Sequence, residues 1–322
     1  MSALLERLGV EHPVVQAGMG GGLAGAELAG AVSGAGGLGT LGIAPPDRLK
    51  EELRAARALT DRPVAVNLLL PFARSGHWEA ARSADAVVTF WGRPRRHADR
   101  AWIHQCGSVE EARAAHAAGA DAVIAQGVEA GGHVRGRTPA LELLAAVRQS
   151  LPPGYRVLLA GGIATAADVR AALDAGADAA VLGTRFLMTR ESGAHERYKE
   201  RLVSGRETLL TELFGLGWAA APHRVLPNGA TQRWLRRGPR GPAAIRLANR
   251  ILGPVAARVP MERAAALSAR QTPGFPLLGP SPPTASGPES LLDTGPLYAG
   301  ESVARIDDIR PAGELVRRLT PA

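Results

Sequence analysis

The stretch Gln126-Gly127-Val128-Glu129-Ala130-Gly131-Gly132-His133 puts a histidine at the end of a glycine-rich loop, directly after the apolar run Asp121–Ala125. A second apolar run leads into Ala160-Gly161-Gly162-Ile163, and a third into Leu182-Gly183-Thr184-Arg185-Phe186. Glycine at a strand end removes the Cβ obstacle and admits positive φ, as a backbone passing close to a ligand requires. Three such junctions in a row point to loops that hold a ligand, with His133 as the obvious chemical group among them.

In a parallel barrel, loops after the seventh and eighth strands often form a phosphate site from main-chain N–H groups. Gly161, Gly162, Leu182 and Gly183 fall there, and Thr184 adds a hydroxyl. Nothing reads G-K-[ST], so the phosphate would belong to a held cofactor rather than to a nucleotide being hydrolysed. Asn67 within the third strand and Gln126 at the end of the sixth are polar side chains at the same predicted face.

Each residue also has a plainer reading: a tight turn at Gly161-Gly162, a core amide at Asn67, a surface histidine at 133, a flexible turn over Gly18–Gly22. Their joint placement on one face weighs against these. Other chemistries lack their motifs, since neither H-E-x-x-H nor G-x-S-x-G is present. Cys106, the single cysteine, ends the fifth strand and reads as a small buried residue before it reads as a nucleophile. Glu129, four residues before His133, could orient the imidazole or be a loop carboxylate.

These residues need elements to carry them. Apolar strands are expected at Val14–Met19, Gly37–Gly42, Val64–Leu70, Ala86–Trp91, Trp102–Cys106, Ala122–Gln126, Val157–Ala160 and Ala179–Gly183. Helical patterns lie between them at Ala24–Ser33, Pro46–Leu59, Gly76–Ser83, Val109–Ala118, Pro139–Ser150 and Ala166–Ala175. Pro46 and Pro139 stand just inside helix starts, with Thr138 placed as an N-cap. Ala-Gly-Ala-Asp precedes a strand at Ala118–Asp121 and again at Ala175–Asp178, with glycine suited to a left-handed helix end.

Short apolar strands alternating with amphipathic helices predict a (β/α)8 TIM barrel over residues 1–190. A doubly wound open sheet is the runner-up, but Gly18–Gly22 is a poor dinucleotide fingerprint. Arg93–Ala101 is short for a full helix between strands four and five, which would thin the wall there. Residues 191–322 are expected to form a smaller C-terminal cap or lid, with a helix over His195–Val203, a loop over 272–297 and a closing helix at Gly313–Leu319.

The 322-residue chain is 46% hydrophobic and 21% charged, an ordinary globular composition. Its net charge of +8 gathers in Arg93–Arg100 and Arg233–Arg250, read as solvated surface without a nucleic-acid motif. One cysteine excludes an intrachain disulfide and a multi-cysteine metal site. No secretory pattern opens the chain and no apolar run spans a bilayer, so a cytoplasmic address without a membrane partner is expected. Oligomeric state is open, a homodimer among the options.

At these residues the chain resembles the nitronate monooxygenase family, formerly called 2-nitropropane dioxygenases. The likeness runs through Val14–Met19, Gly36–Thr40, Val66-Asn67, Gln126–His133, Ala160–Ile163 and Leu182–Phe186, about 200 residues, and more weakly Tyr298–Ser302. The resemblance implies an FMN-binding oxidoreductase that converts alkyl nitronates with O2 into carbonyl compounds and nitrite. It implies that Gly161, Gly162, Gly183 and Thr184, beside Leu182, hold the FMN phosphate. It places Gln126, Gly131 and Asn67 against the flavin or its ribityl chain, Met19 against the rings, and His133 near the flavin N5 and the nitro group. There His133 would bind the nitronate as imidazolium or take an α-proton as a neutral base. Gly18 departs from the proline that many members carry before the methionine. An FMN-dependent enoyl-ACP reductase, using NAD(P)H and an acidic carrier protein, shares the same loop and is the rival reading; a non-catalytic flavin-binding barrel is the third.

Overall fold

A computed structural model describes residues 3–97, 100–218, 220–256, 259, 263, 266–267, 270 and 278–321. Strands occur at Val14–Gln16 (β1), Gly39–Leu41 (β2), Val64–Leu69 (β3), Ala86–Phe90 (β4), Ala101–Cys106 (β5) and Ala122–Gln126 (β6). They continue with Gly132–His133 (β7), Arg156–Ala160 (β8), Ala180–Leu182 (β9), Leu209–Thr211 (β10) and His223–Val225 (β11). Eight of them form one parallel sheet in the order β1-β9-β8-β6-β5-β4-β3-β2. A parallel bridge between Val15 and Leu38 joins β1 to β2 and completes the ring. The expected (β/α)8 barrel is therefore the fold.

Alternation along the strands divides two apolar layers. Val15, Leu38, Val88, Ile103, Ile124 and Leu158 fill the interior with Leu4 and Leu5 from the helix Ala3–Leu8. Val14, Val123, Val157 and Leu159 face outward against Leu143, Leu144 and Val169 of the surrounding helices. The Ala-Gly-Ala-Asp repeat has a mechanical reason. Gly119 and Gly176 turn the chain at φ +85° and +98°, and the aspartate two residues on captures an N–H at the start of a neighbouring strand. Asp121 Oδ2 accepts from Trp102 N and Asp178 Oδ2 from Val157 N, both at 2.8 Å; Asp85 does the same for Val64 N at 2.7 Å.

Three local expectations are corrected. Thr138 does not cap its helix; Pro139 occupies the N-cap of Ala140–Ser150, and proline offers no side-chain acceptor. Glu129 supplies it instead, both carboxylate oxygens accepting from Ala140 N at 3.0 Å, so this carboxylate is committed to a helix start rather than to His133. The loop expected over 272–297 contains a short helix, Leu291–Thr294, while 272–277 lie outside the described residues.

The helix sequence around the barrel is broken once. After β4 the described chain runs irregularly to β5, with no helix over the described residues from Trp91 to Arg100. The eighth helical position is filled from the far end of the chain. Ala312, Leu315, Val316 and Leu319 of the helix Ala312–Leu319 enter the outer layer beside Leu28, Val32 and Val169. Between β9 and that helix, the described residues of 196–306 build a second body above the strand ends. It has its own apolar cluster, centred on Tyr198, Leu202, Leu226, Leu297 and Val303, and a small antiparallel sheet in the order β10-β11-β7. No helix among the described residues is long and apolar enough to cross a membrane.

Candidate functional site

The glycine junctions converge at the C-terminal ends of the barrel strands. Gly161 and Gly162 follow β8 with φ of +116° and +73°, a pair of left-handed conformations that side chains resist. Among the described residues, the N–H groups of Gly161, Gly162 and Ile163 find no acceptor, and neither do those of Gly183, Thr184 and Arg185 after β9. Two neighbouring strand ends thus present rows of unused donors to one side, the arrangement that takes up a phosphate. A Cβ placed on Gly183 would meet nothing nearer than Ala17 Cβ at 3.8 Å, so the protein leaves open space there. Arg305 braces the turn, its guanidinium donating to Gly162 O and, at 2.6 Å, to Asp168 Oδ1.

Other expected residues have partners that refine their roles. Thr184 Oγ1 accepts from Gly300 N at 2.8 Å, tying the Tyr298–Ser302 segment to the barrel while its own proton remains to be donated. Gly131 is glycine because a Cβ would strike the main chain at Ala299 and Gly300. The segment 299–300 fills the side on which a Cβ would stand. Gln126 gives both amide atoms to the loop it precedes: Nε2 donates to His133 O at 3.0 Å and Oε1 accepts from Arg135 N at 2.9 Å. It shapes the histidine loop.

Asn67 is 8% exposed; its Nδ2 donates to Gly18 O at 3.1 Å, but its buried Oδ1 has no partner. Gly18 allows this approach, since any Cβ there would overlap the Asn67 side chain. Met19 is partly buried, with its side chain packed against both the outer barrel layer and the upper cluster. An orphan amide oxygen, free donors at two strand ends and open space over Gly183 fit a polar, phosphate-bearing cofactor held across this face.

His133 stands in β7, opposite His223 of β11. Its ring stacks on Trp218, centroids 3.9 Å apart and planes 25° from parallel. Tyr298 lies 5.6 Å away, His223 5.3 Å, and Trp91 6.3 Å edge-on. Nε2 is shut off from solvent without a hydrogen-bond partner. Burial, and secondarily the neighbouring His223, hold its pKa well below the ordinary imidazole value. The imidazolium alternative thereby loses its support, and the neutral ring is the form this site favours. His223 is a structural neighbour: its Nε2 accepts from Phe214 N at 3.1 Å, its Nδ1 pairs with Ala221 O at 3.0 Å, and burial pushes its pKa down to about 4.

Sequence reasoning missed the aromatic wall. Trp91 directly follows β4 at φ +62°, a strained conformation for an aromatic residue, and carries the Arg135 guanidinium 5.1 Å over its ring. One of only five tryptophans in the chain, placed at a strand end, it was a signal available in the sequence. Trp218 arrives from far along the chain and gave none. Cys106 is fully buried, and burial pushes its thiol pKa up, which leaves it a packing residue.

The family model described as nitronate monooxygenase matches residues 1–93 and 92–322. A nitronate monooxygenase of Pseudomonas aeruginosa is 34% identical over 69% of this chain and 80% of its own length. A Mycobacterium tuberculosis protein named (3aS,4S,5R,7aS)-5-hydroxy-7a-methyl-1-oxo-octahydro-1H-indene-4-carboxyl-CoA dehydrogenase is 36% identical over 69% of this chain but only 65% of its own. Among solved structures, FabK from Thermotoga maritima superposes with a TM-score of 0.78 at 29% identity, covering 99% of this chain and 94% of that one. A nitroalkane oxidase from Streptomyces ansochromogenes gives 0.74 at 31%, covering 99% and 96%. With the barrel, the glycine junctions and the histidine loop in place, the chain belongs to the nitronate monooxygenase family of flavin-dependent oxidoreductases.

Proposed function

We propose that the protein is an FMN-dependent nitronate monooxygenase acting on alkyl nitronates and O2. The observation that carries the reading is His133: a neutral, solvent-excluded imidazole with an unused Nε2, walled by Trp218, Trp91 and Tyr298 above the glycine-lined strand ends. The FMN phosphate would lie on the free N–H groups of residues 161–163 and 183–185, with the Thr184 hydroxyl as a further donor. Asn67 Oδ1 would take a donor from the isoalloxazine or ribityl group, and Met19 would flank the rings. When bound, the flavin supplies one-electron oxidation and reaction with O2.

The chain's own part is positioning and proton transfer. His133 Nε2 takes the α-proton of a nitroalkane; the C–H electrons move into the nitro group, and the nitronate forms where it is oxidised. A depressed pKa keeps this base unprotonated at neutral pH, and the aromatic walls exclude water that would otherwise solvate the nitro oxygens. Replacing His133 by alanine should leave FMN content unchanged while lowering turnover of the neutral nitroalkane by about 10²-fold or more. Turnover equal to the parent would remove His133 from the reaction.

A second reading is an oxidoreductase using NAD(P)H or a thioester substrate on the same barrel. It is favoured by the 36% identity to a protein named as a carboxyl-CoA dehydrogenase and by the likeness to FabK.

A further inference from the structure

The break in the ring of helices leaves a cleft with its own chemistry. Where a helix would cover β4 and β5, the described residues between Phe90 and β5 form none, and a cavity of about 780 Å³ opens between them, Trp78 and Leu70. That volume lies within the range of roughly 300–1,000 Å³ typical of small-molecule sites. A companion crevice continues inward to Val87 and Trp102.

The strand surface beneath is unusual for a barrel wall. An outward strand face normally meets a helix through apolar side chains. Here Thr89 and His104, both buried, face outward and satisfy each other: Thr89 Oγ1 pairs with His104 Nδ1 at 2.8 Å and accepts from Trp102 Nε1 at 2.7 Å. The strand surface behind the crevice is therefore a self-contained polar patch, and Trp102 of that group lines the crevice itself.

The rim is cationic. Arg93, Arg95, Arg96 and Arg100 crowd within eight residues. Arg96 is occupied, donating to Gly119 O at 2.8 Å and to Asp121 Oδ2 at 3.2 Å. Arg93, Arg95 and Arg100 meet no carboxylate among the described residues. Beside them His97 lies flat on Trp78, ring centroids 3.9 Å apart and planes 19° from parallel, with the outer face of His97 exposed. Unpaired guanidinium groups suit phosphate oxygens, and an exposed aromatic stack suits a planar base. Pro71 and Gly92, which line the cleft, are chain neighbours of Phe72 and Trp91, whose rings both meet Trp218 of the candidate site edge-on, at 5.1 and 4.9 Å.

We propose that this cleft binds the adenosine diphosphate moiety of a substrate or coenzyme, the base stacking at His97 and Trp78 and the phosphates meeting Arg93 and Arg95. The moiety is shared by coenzyme A thioesters and by pyridine dinucleotides. The inference is independent of the nitronate reading.

The test is calorimetric titration of ADP into the flavin-loaded full chain, with coenzyme A and NADPH as separate arms and inorganic pyrophosphate as the phosphate-only probe. ADP should bind, and the surface double variant Arg93→Gln/Arg95→Gln should weaken it about tenfold or more without changing FMN content. Trp78→Leu should weaken ADP and leave pyrophosphate unchanged. Of the two larger ligands, the one that gains more affinity over ADP, and loses that gain in the double variant, identifies the source. Absence of ADP binding at millimolar concentration, or affinity unaltered in the arginine double variant, would overturn the assignment.

Discussion

At the scale of single residues, the environment of His133 decides what it can do. Glycine spacing made the residue conspicuous in the sequence, but its protonation state was not legible there. Burial and, secondarily, His223 lower its pKa, and both His223 and Trp218, whose ring covers the imidazole, come from chain far from the histidine loop. The sign of the pH effect follows. A base is active when unprotonated, so a depressed pKa carries activity to lower pH than an ordinary imidazole, near 6.5, would allow. Trp218→Ala opens the ring to water, weakens the desolvation that depresses the pKa, and should move the acid limb of the rate–pH profile upward toward that value. An acid limb at the same pH in both proteins would mean that Trp218 does not set the protonation of the base. Gln126 and Gly131 carry structural roles that their types alone did not announce: the amide of one ties the histidine loop and the bare Cα of the other admits residues 299–300.

At the scale of elements, strands were legible because a buried parallel strand must be continuously apolar, and six of the intervening helices because their faces differ. The Ala-Gly-Ala-Asp repeat announced strand starts for a reason now visible in the hydrogen bonds of Asp121 and Asp178. What could not be read was any partnership between distant elements. Thr138 looked like a cap until Glu129 took the Ala140 N–H from another loop, and the helix Ala312–Leu319 closes a ring whose last strand lies 130 residues earlier (312 − 182). The β8 and β9 junctions yield a direct test of phosphate placement. Space at Gly183 is open, the nearest atom to an added Cβ being 3.8 Å away. Gly183→Val should therefore fold normally and lose flavin, its occupancy after purification falling several-fold because the side chain enters the volume left for the phosphate. Full occupancy in that variant would place the phosphate elsewhere.

On the scale of the whole molecule, one barrel face gathers the residues that the proposed reaction would use, and Trp218 and Tyr298 reach it from the body inserted before the last helix. β11, from that body, pairs with β7 of the histidine loop, so the cap and the barrel build His133's position together. Tyr298 O accepts from Tyr198 at 2.6 Å and Thr184 holds Gly300, so the C-terminal segment is fastened to both parts. The thin wall expected between strands four and five is present as a cleft on the outside of this assembly. The central claim is that such a face uses FMN to oxidise a nitronate, and the absorbance spectrum of the purified protein under anaerobic conditions tests it most directly. An alkyl nitronate and NAD(P)H are added in separate samples. The account predicts a flavin spectrum that is reduced by the nitronate and unaffected by NAD(P)H. Bleaching by NAD(P)H alone, or no flavin band after reconstitution with FMN, would contradict it.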